Sequence, residues 1–274
     1  MCIILTFNLE YGGYYLYKKN NSFSYINKYI DIIKKYNVDA VCFQEAFFIH
    51  AKDKRPFDIT KEIAEKLGFY HKNNSFAYLS IISKYPLTKI SNSKHNFLTC
   101  SFEKEEKTYT ITNIHLSNLP NTYYTLINFT HSDTYTKEKE LNYKKAAELS
   151  YETKQRDIEK LMDLLKYKKT PLIICGDFNE LSHLDRGIYE KDIEWKTSKH
   201  LYSKGFIDIV RHFDTKNPYY SCDVIRKESK YNPPMRIDMV YFKNIKPIKF
   251  KYLNKYNNGK MNLSDHVPIL AYFE

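Results

Sequence analysis

Six times along the chain a short apolar run meets carboxylate, amide or imidazole side chains at its end. Asn8 follows "CIILTF", Gln44 and Glu45 follow "DAVCF", and His115 follows "TYTITNI". Asp177 and Asn179 follow "LIICG", Asp238 lies within "RIDMVYF", and Ser264, Asp265 and His266 precede "VPILAYF". Each has a plain structural explanation when taken singly. Gly176, Asp177 and Asn179 are turn residues, Glu45 suits a solvated helix start, and Asp265 suits a turn cap. His115 suits a satisfied core histidine, and Asp238 could pair with Arg236. Taken together they constrain the fold. A parallel or mixed sheet ends its strands of one sense along one edge, and open α/β sheets bind ligands there.

The expected strands are Cys2–Phe7, Ala40–Phe43, Phe76–Ser83, Tyr109–Ile114, Leu172–Cys175, Arg236–Phe242 and Val267–Phe273. Helical periodicity fills the gaps. Ile26, Ile30 and Ile33 make one stripe, and Ile59, Ile63 and Leu67 a second that ends at Gly68. Ile158, Leu161, Leu164 and Leu165 make a third. Strands and helices mixed along the whole chain predict an α/β domain over residues 1–274. Residues 121–140 are rich in Thr, Tyr and Asn without a period. They read equally as a surface loop or as a substrate-facing insertion.

Composition adds limits. At 43% hydrophobic the chain can bury a large core. No apolar run approaches the ~18 residues of a membrane span. The first residues carry no basic leader and the apolar run there is too short for a signal peptide. An intracellular monomer is expected. The five cysteines are odd in number and without metal-finger spacing, so reduced, structural cysteines are expected. The net charge of +11 suggests an anionic partner. Its weight is small, because abundant Lys, Asn, Ile, Tyr and Phe with scarce Gly is the bias of an AT-rich genome. The oxygen donors at the strand ends, with no thiolate among them, suit Mg²⁺ better than zinc. Two histidines beside them suit phosphate binding and proton management.

In order, "FNLE", "FQEA", "SKYPL", "NIHLSN", "GDFNE", "RIDMVYF" and "LSDHVPI" resemble the endonuclease/exonuclease/phosphatase superfamily, with its DNase I-like fold. The resemblance runs through nearly the whole chain. It implies a four-layered α/β sandwich, two mixed β-sheets flanked by helices, and hydrolysis of phosphoesters with Mg²⁺ or Mn²⁺. It implies that Glu45 is the principal metal ligand, with Asn8 beside it and Asp265 assisting. Asp177 would orient or deprotonate the attacking water, and Asn179 would hold that water or a phosphate oxygen. His266, held by Asp238, would contact the scissile phosphate or act as general base, and His115 would donate to a phosphate oxygen. Which group is the base stays open, since coupled groups share their protons.

Asn113, Ile114, His115 and Leu116 resemble the N-x-H-L signature. That signature marks a branch of neutral sphingomyelinases, inositol polyphosphate 5-phosphatases, deadenylases and tyrosyl-DNA phosphodiesterases. Abasic-site endonucleases carry a Tyr/Pro-containing motif there. "GDFNELSHLD" with the segment from Trp195 to "GFIDIV" resembles a further group. That group has a Gly-x-Thr-Trp stretch where this chain reads "NPYYSCD". Ser182, His183 and Asp185 could line the site or form a structured loop. Three functions follow. The first is a nuclease or DNA-end-processing phosphodiesterase, with the 26 Tyr and 17 Phe as stacking platforms. The second is an esterase of phospholipid or inositol phosphate, with an acidic lipid or inositol phosphate as partner. The third is a non-catalytic nucleic-acid-binding module.

Overall fold

Successive side chains of a strand point to opposite faces. In β1 (Cys2–Asn8) that alternation divides two cores. Ile3, Leu5 and Phe7 pack under the helices Ile26–Lys35 and Ile59–Leu67, while Cys2 and Ile4 face a second sheet. The computed structural model describes residues 1–20, 22–49, 56–91, 94–119, 143–185, 194–222, 235–254 and 263–274. The 121–140 segment lies outside them.

One sheet has the order β13 (Pro247–Tyr252), β14 (Ile269–Phe273), β1, β2 (Ala40–Gln44), β6 (Leu79–Ser83) and β5 (Tyr70–Asn74). The other has the order β11 (Ile207–Asp208), β12 (Asp238–Lys243), β10 (Leu172–Asp177), β9 (Lys107–His115), β8 (Phe97–Lys104) and β7 (Thr88–Lys89). Each sheet is antiparallel except for one central parallel pair, β1 with β2 and β10 with β9. A small hairpin joins β3 (Phe47–Ile49) to β4 (Pro56–Asp58).

The two sheets face each other across Ile4, Cys42 and Ile81 on one side and Leu98, Ile111, Ile173 and Val240 on the other. The outer face of the second sheet is covered by the helices Tyr143–Leu165 and Lys196–Ser203, through Ile158, Leu161, Met162, Leu165 and Leu201. Helices, sheet, sheet and helices make four layers, the arrangement expected. No described helix is long and apolar enough to cross a membrane.

The apolar stripes behave as expected. Ile26, Ile30 and Ile33 are buried, as are Ile59 and Ile63. Gly68 ends its helix in the left-handed conformation (φ 67°), which only glycine adopts without a Cβ penalty. All five cysteines are unpaired and buried. Seven strands were illegible: β5, β8, β13 and the short β3, β4, β7 and β11. In β5 ("YHKNN") and β13 ("PIKFKY") polar residues predominate, because these strands lie at sheet edges with one face toward solvent. The run at 76–83 becomes a strand only at Leu79, after a turn.

Candidate active site

The site follows from strand parity. On the faces that oppose each other between the sheets, β1 presents Cys2, Ile4, Thr6 and Asn8, and β2 presents Ala40, Cys42 and Gln44. Across the gap β9 presents Ile111, Asn113 and His115, β10 presents Ile173, Cys175 and Asp177, and β12 presents Phe242, Val240 and Asp238. Along every row the side chains turn polar toward one end of the sandwich. The first polar layer clamps the sheets together. Gln44 donates through Nε2 to Asn113 Oδ1 (2.6 Å) and Thr6 Oγ1 (3.1 Å). Asn113 donates back to the carbonyls of Phe43 (2.7 Å) and Ser80 (2.9 Å). Thus Asn113, the first residue of the N-x-H-L stretch, holds the two sheets together.

The next layer is the candidate site. His115, Asp177 and Asp238 are register partners on three adjacent strands. Two carboxylates placed opposite one another repel, and burial adds to the cost of their charge. Burial first, and Asp238 second, push the Asp177 carboxyl up to about 6, against the pull of His266 and His115. Asn8 Nδ2 donates to Asp177 Oδ2 (3.1 Å) and Glu45 Oε1 (3.3 Å). His115 Nε2 lies 3.8 Å from Glu45 Oε1 and 3.7 Å from Asp177 Oδ2. Asn179 has φ 46°; its backbone N–H donates to Asp177 Oδ1 (2.8 Å) and its side chain to the Leu116 carbonyl (3.0 Å).

His266 reaches the cluster from the segment before β14. Its Nδ1 lies 2.7 Å from Asp238 Oδ2, which turns Nε2 toward Asp177 (3.9 Å) and Asp265 (3.8 Å). Burial alone would lower its pKa, but Asp238, Cys222 and Asp265 outweigh it and hold the imidazole well above its ordinary value. Ser221 Oγ accepts from the backbone N–H groups of Ile237 (3.1 Å) and Asp238 (2.9 Å), fixing the strand that carries Asp238.

Glu45 is positioned by a turn. Glu10, Tyr11, Gly12 and Gly13 all take positive φ. The backbone N–H of Tyr11 thereby donates to Glu45 Oε2 (2.7 Å) and that of Gly12 to the Glu45 carbonyl (2.7 Å). A Cβ on Gly12 would lie 2.5 Å from the backbone nitrogen of Phe48. Glu10 then accepts from the backbone N–H of Asp265 (3.1 Å). Glu45 first, with burial, Tyr15, Asp265 and Glu10 behind it, raises the pKa of the Tyr11 hydroxyl. The turn thus holds the Glu45 carboxylate against the Tyr11 backbone and the Glu10 carboxylate against the Asp265 backbone. With the Asn8 amide they offer the oxygen donors that a hard divalent cation takes. Asp177, Asp238 and His266 also bring ligand atoms within 4.8 Å of one another.

All eight residues read from the sequence, Asn8, Glu45, His115, Asp177, Asn179, Asp238, Asp265 and His266, meet at this end of the sandwich. Two expectations fail, the bend at Gly176 and the absence of sulfur, and two open alternatives are decided. Gly176 does not bend the chain, since β10 continues through Asp177. It has φ 139°, and a Cβ there would lie 2.0 Å from the Ile114 carbonyl oxygen. It is needed for close approach of β9. Arg236 pairs with Asp185 and Asp208, leaving Asp238 to His266. The "SHLD" residues form the structured loop. Ser182 and Asp185 are buried, and His183 Nδ1 meets Ser198 Oγ at 3.0 Å. Last, a sulfur does lie at the site. Cys222 Sγ is 3.7 Å from His266 Nε2. Cys222 is remote from the other site residues in sequence and carried no spacing signal.

Glu10, Lys154 and Glu180 were also missed. The helix stripe at Ile158, Leu161 and Leu165 extends back one turn to Lys154, and that position on the stripe is the one signal the sequence carried for it. Its ammonium is fully buried, 3.8 Å from Glu180 and 2.6 Å from Ser150 Oγ. Burial pulls its pKa down against Glu180 and Asp177.

The fold has its counterpart in known proteins. The endonuclease/exonuclease/phosphatase family model matches residues 5–266. The chain belongs to this family. Its members are hydrolytic phosphoesterases, generally dependent on a divalent metal. No curated protein matches the sequence. Among solved structures, this family member is similar to a Neisseria 3′ phosphatase, NExo, bound to a product DNA hairpin, at 15% identity. The TM-score is 0.63, with all of both chains covered. It is similar to D. rerio TDP2 complexed with single-strand DNA product, at 12% identity and TM-score 0.62, covering 100% of this chain and 98% of that one. A family protein from Leptotrichia buccalis gives 14% identity and TM-score 0.61 over both whole chains.

Proposed function

We propose that this family member is a divalent-metal-dependent phosphodiesterase acting on nucleic acid, with Mg²⁺ or Mn²⁺ as its ion. The observation that carries the reading is the buried Asp177–Asp238–His266 group facing Asn8 and Glu45 across the sheet gap. In-line phosphodiester hydrolysis needs a positioned water, a proton acceptor and neutralisation of the phosphoryl oxygens. The side chains of Asn8, Glu45 and Asp265 supply oxygen donors for the cation, which when bound neutralises phosphoryl charge and acidifies coordinated water.

Asp177 is the proton acceptor. Burial and Asp238 push its carboxyl up to about 6, toward neutral working conditions, where general bases are most effective. Asn179 and Asn8 hold it in place. Asp238 fixes the tautomer of His266, whose Nε2 faces the cluster as a cationic donor for a phosphate oxygen. His115 donates to a second phosphate oxygen from between Glu45 and Asp177. The Asn113-x-His115-Leu116 stretch supports placement in the N-x-H-L branch. Support for nucleic acid comes from two structural neighbours bound to DNA and from the net charge of +11.

The test is a substrate panel of duplex, single-stranded and abasic DNA, RNA, 5′-tyrosyl DNA, sphingomyelin vesicles and phosphoinositides. Wild type is compared with Asp177→Ala and His266→Ala, with Mg²⁺ or with EDTA. Hydrolysis of a nucleic acid is expected, abolished by EDTA and reduced by roughly 10² to 10⁴ in either variant. Full activity in EDTA, or in both variants, overturns the reading. Turnover confined to the lipids or inositides replaces the substrate with a phospholipid or inositol phosphate. Salt-sensitive DNA binding without turnover replaces the enzyme with a binding module.

A further inference from the structure

Cys222 is held by backbone pairing on both sides. It bridges Met235 on one flank and His266 on the other, and Val267 N–H donates to the Ser221 carbonyl (2.7 Å). This pairing brings its sulfur to His266 Nε2 at 3.7 Å, while Asp265 Oδ1 lies 3.8 Å from the same nitrogen. The three ligand atoms of Cys222, Asp265 and His266 all fall within 4.8 Å of one another. In a tetrahedral zinc site, bond lengths near 2.3 Å to sulfur and 2.0–2.2 Å to nitrogen or oxygen place S and N about 3.5 Å apart and N and O about 3.4 Å apart. The observed separations exceed these by only a few tenths of an ångström, so an ion could be seated by small rotamer adjustments. Three protein ligands and a water complete four-coordination, the pattern of an open zinc site. His266 is doubly suited, because Asp238 on Nδ1 fixes the tautomer that a metal-bound Nε2 requires.

Hard and soft donors thus occupy two sides of one cleft. Asn8 and Glu45 offer oxygen alone, whereas Cys222 and His266 offer sulfur and nitrogen, which select zinc over magnesium. Cys222 is 6% exposed and the His266 side chain 8%. The Asp265 side chain, at 27%, leaves the way in open on its side.

We propose that Cys222, Asp265 and His266 form an inhibitory site for zinc, or a similarly soft divalent ion, whose occupancy takes His266 Nε2 out of use. The binding claim stands on geometry alone; the inhibition rests on the function proposed above. On binding, the Cys222 thiol releases its proton and the His266 Nε2 proton leaves as the lone pair turns to the metal. No oxidation occurs.

The folded 274-residue protein is titrated with Co²⁺, and the thiolate-to-cobalt charge-transfer absorption is read in the near ultraviolet, followed by displacement with Zn²⁺. Wild type should develop the band at one equivalent and lose it to zinc. Cys222→Ser, which keeps the other four cysteines, should show none, and Asp177→Ala should keep it. In parallel, Zn²⁺ inhibition is measured at fixed excess Mg²⁺ on whichever substrate the panel yields, each protein relative to its own zinc-free rate. The half-inhibiting zinc concentration should rise at least tenfold in Cys222→Ser. A wild-type protein without the band, a band unchanged in Cys222→Ser, or equal zinc sensitivity in both proteins overturns the proposal. A band present with no substrate turned over retains the zinc site and sinks the hydrolase.

Discussion

Replacing Asp185 by alanine should unfold the protein more easily and weaken the site without touching it. Asp185 accepts from Arg236 Nε (3.0 Å), Arg236 Nη2 (2.8 Å) and Arg211 Nε (2.6 Å). Arg236 is wholly buried, and its only other partner carboxylate among the described ion pairs is Asp208. Deleting Asp185 leaves the Arg236 guanidinium with Asp208 and the Arg211 guanidinium with the carbonyls of Asp214 and Asn217. Removing one partner of a buried ion pair typically costs about 3–5 kcal/mol, and three hydrogen bonds to charged groups are lost together. For a chain of this size the melting temperature should fall by on the order of 10 °C. Urea unfolding of wild type and Asp185→Ala measures the free energy directly, with the slope unchanged if both are two-state. Hydrolysis should fall too, because Arg236 anchors the residues that lead into Asp238. A loss below about 1 kcal/mol would refute the view that this carboxylate ties the loop after Asn179 to the strand of Asp238.

Two other outcomes follow from the site's layers. The folded, metal-free protein binds the Asp177 proton up to about pH 6, the unfolded chain only to 3.8. That group therefore favours folding most below 3.8, and its contribution is lost as pH rises through 6, by on the order of 3 kcal/mol. Denaturant unfolding of the metal-free protein between pH 4 and 7 should show this decline in wild type and not in Asp177→Asn; parallel curves would count against it. Asn113→Ala and Gln44→Ala should each cost about 1–3 kcal/mol by stranding a buried partner. The double variant should cost less than their sum, as read by the same unfolding assay, and strict additivity would mean that the two amides do not form one clamp.

The local pattern was legible where physics acts locally. Apolar runs such as "CIILTF" and "LIICG" had to be strands, and the stripe from Ile26 to Ile33 had to be a buried helix face. Alternation even carried the side-chain direction of Asn8, His115 and Asp177, because each ends a row of inward-facing residues two apart. Edge strands such as Tyr70–Asn74 escaped notice, since an exposed face needs no apolar residues. Lys154 escaped because an ammonium on an apolar stripe reads as an error until its buried partner, Glu180, is seen.

Thus the sequence alone determined seven inner strands, the helix faces, the family to which they belong and the eight polar residues beside the strands. Only the tertiary structure decided partners. Asp238 takes His266 and not the nearby Arg236. Gly176 serves close approach and not a bend. Cys222 brings sulfur to a cleft that otherwise offers oxygen and nitrogen. The physical reason is common to all three. Partner choice depends on register and layer packing between segments distant in the chain, and no local period encodes the distance between two sheets.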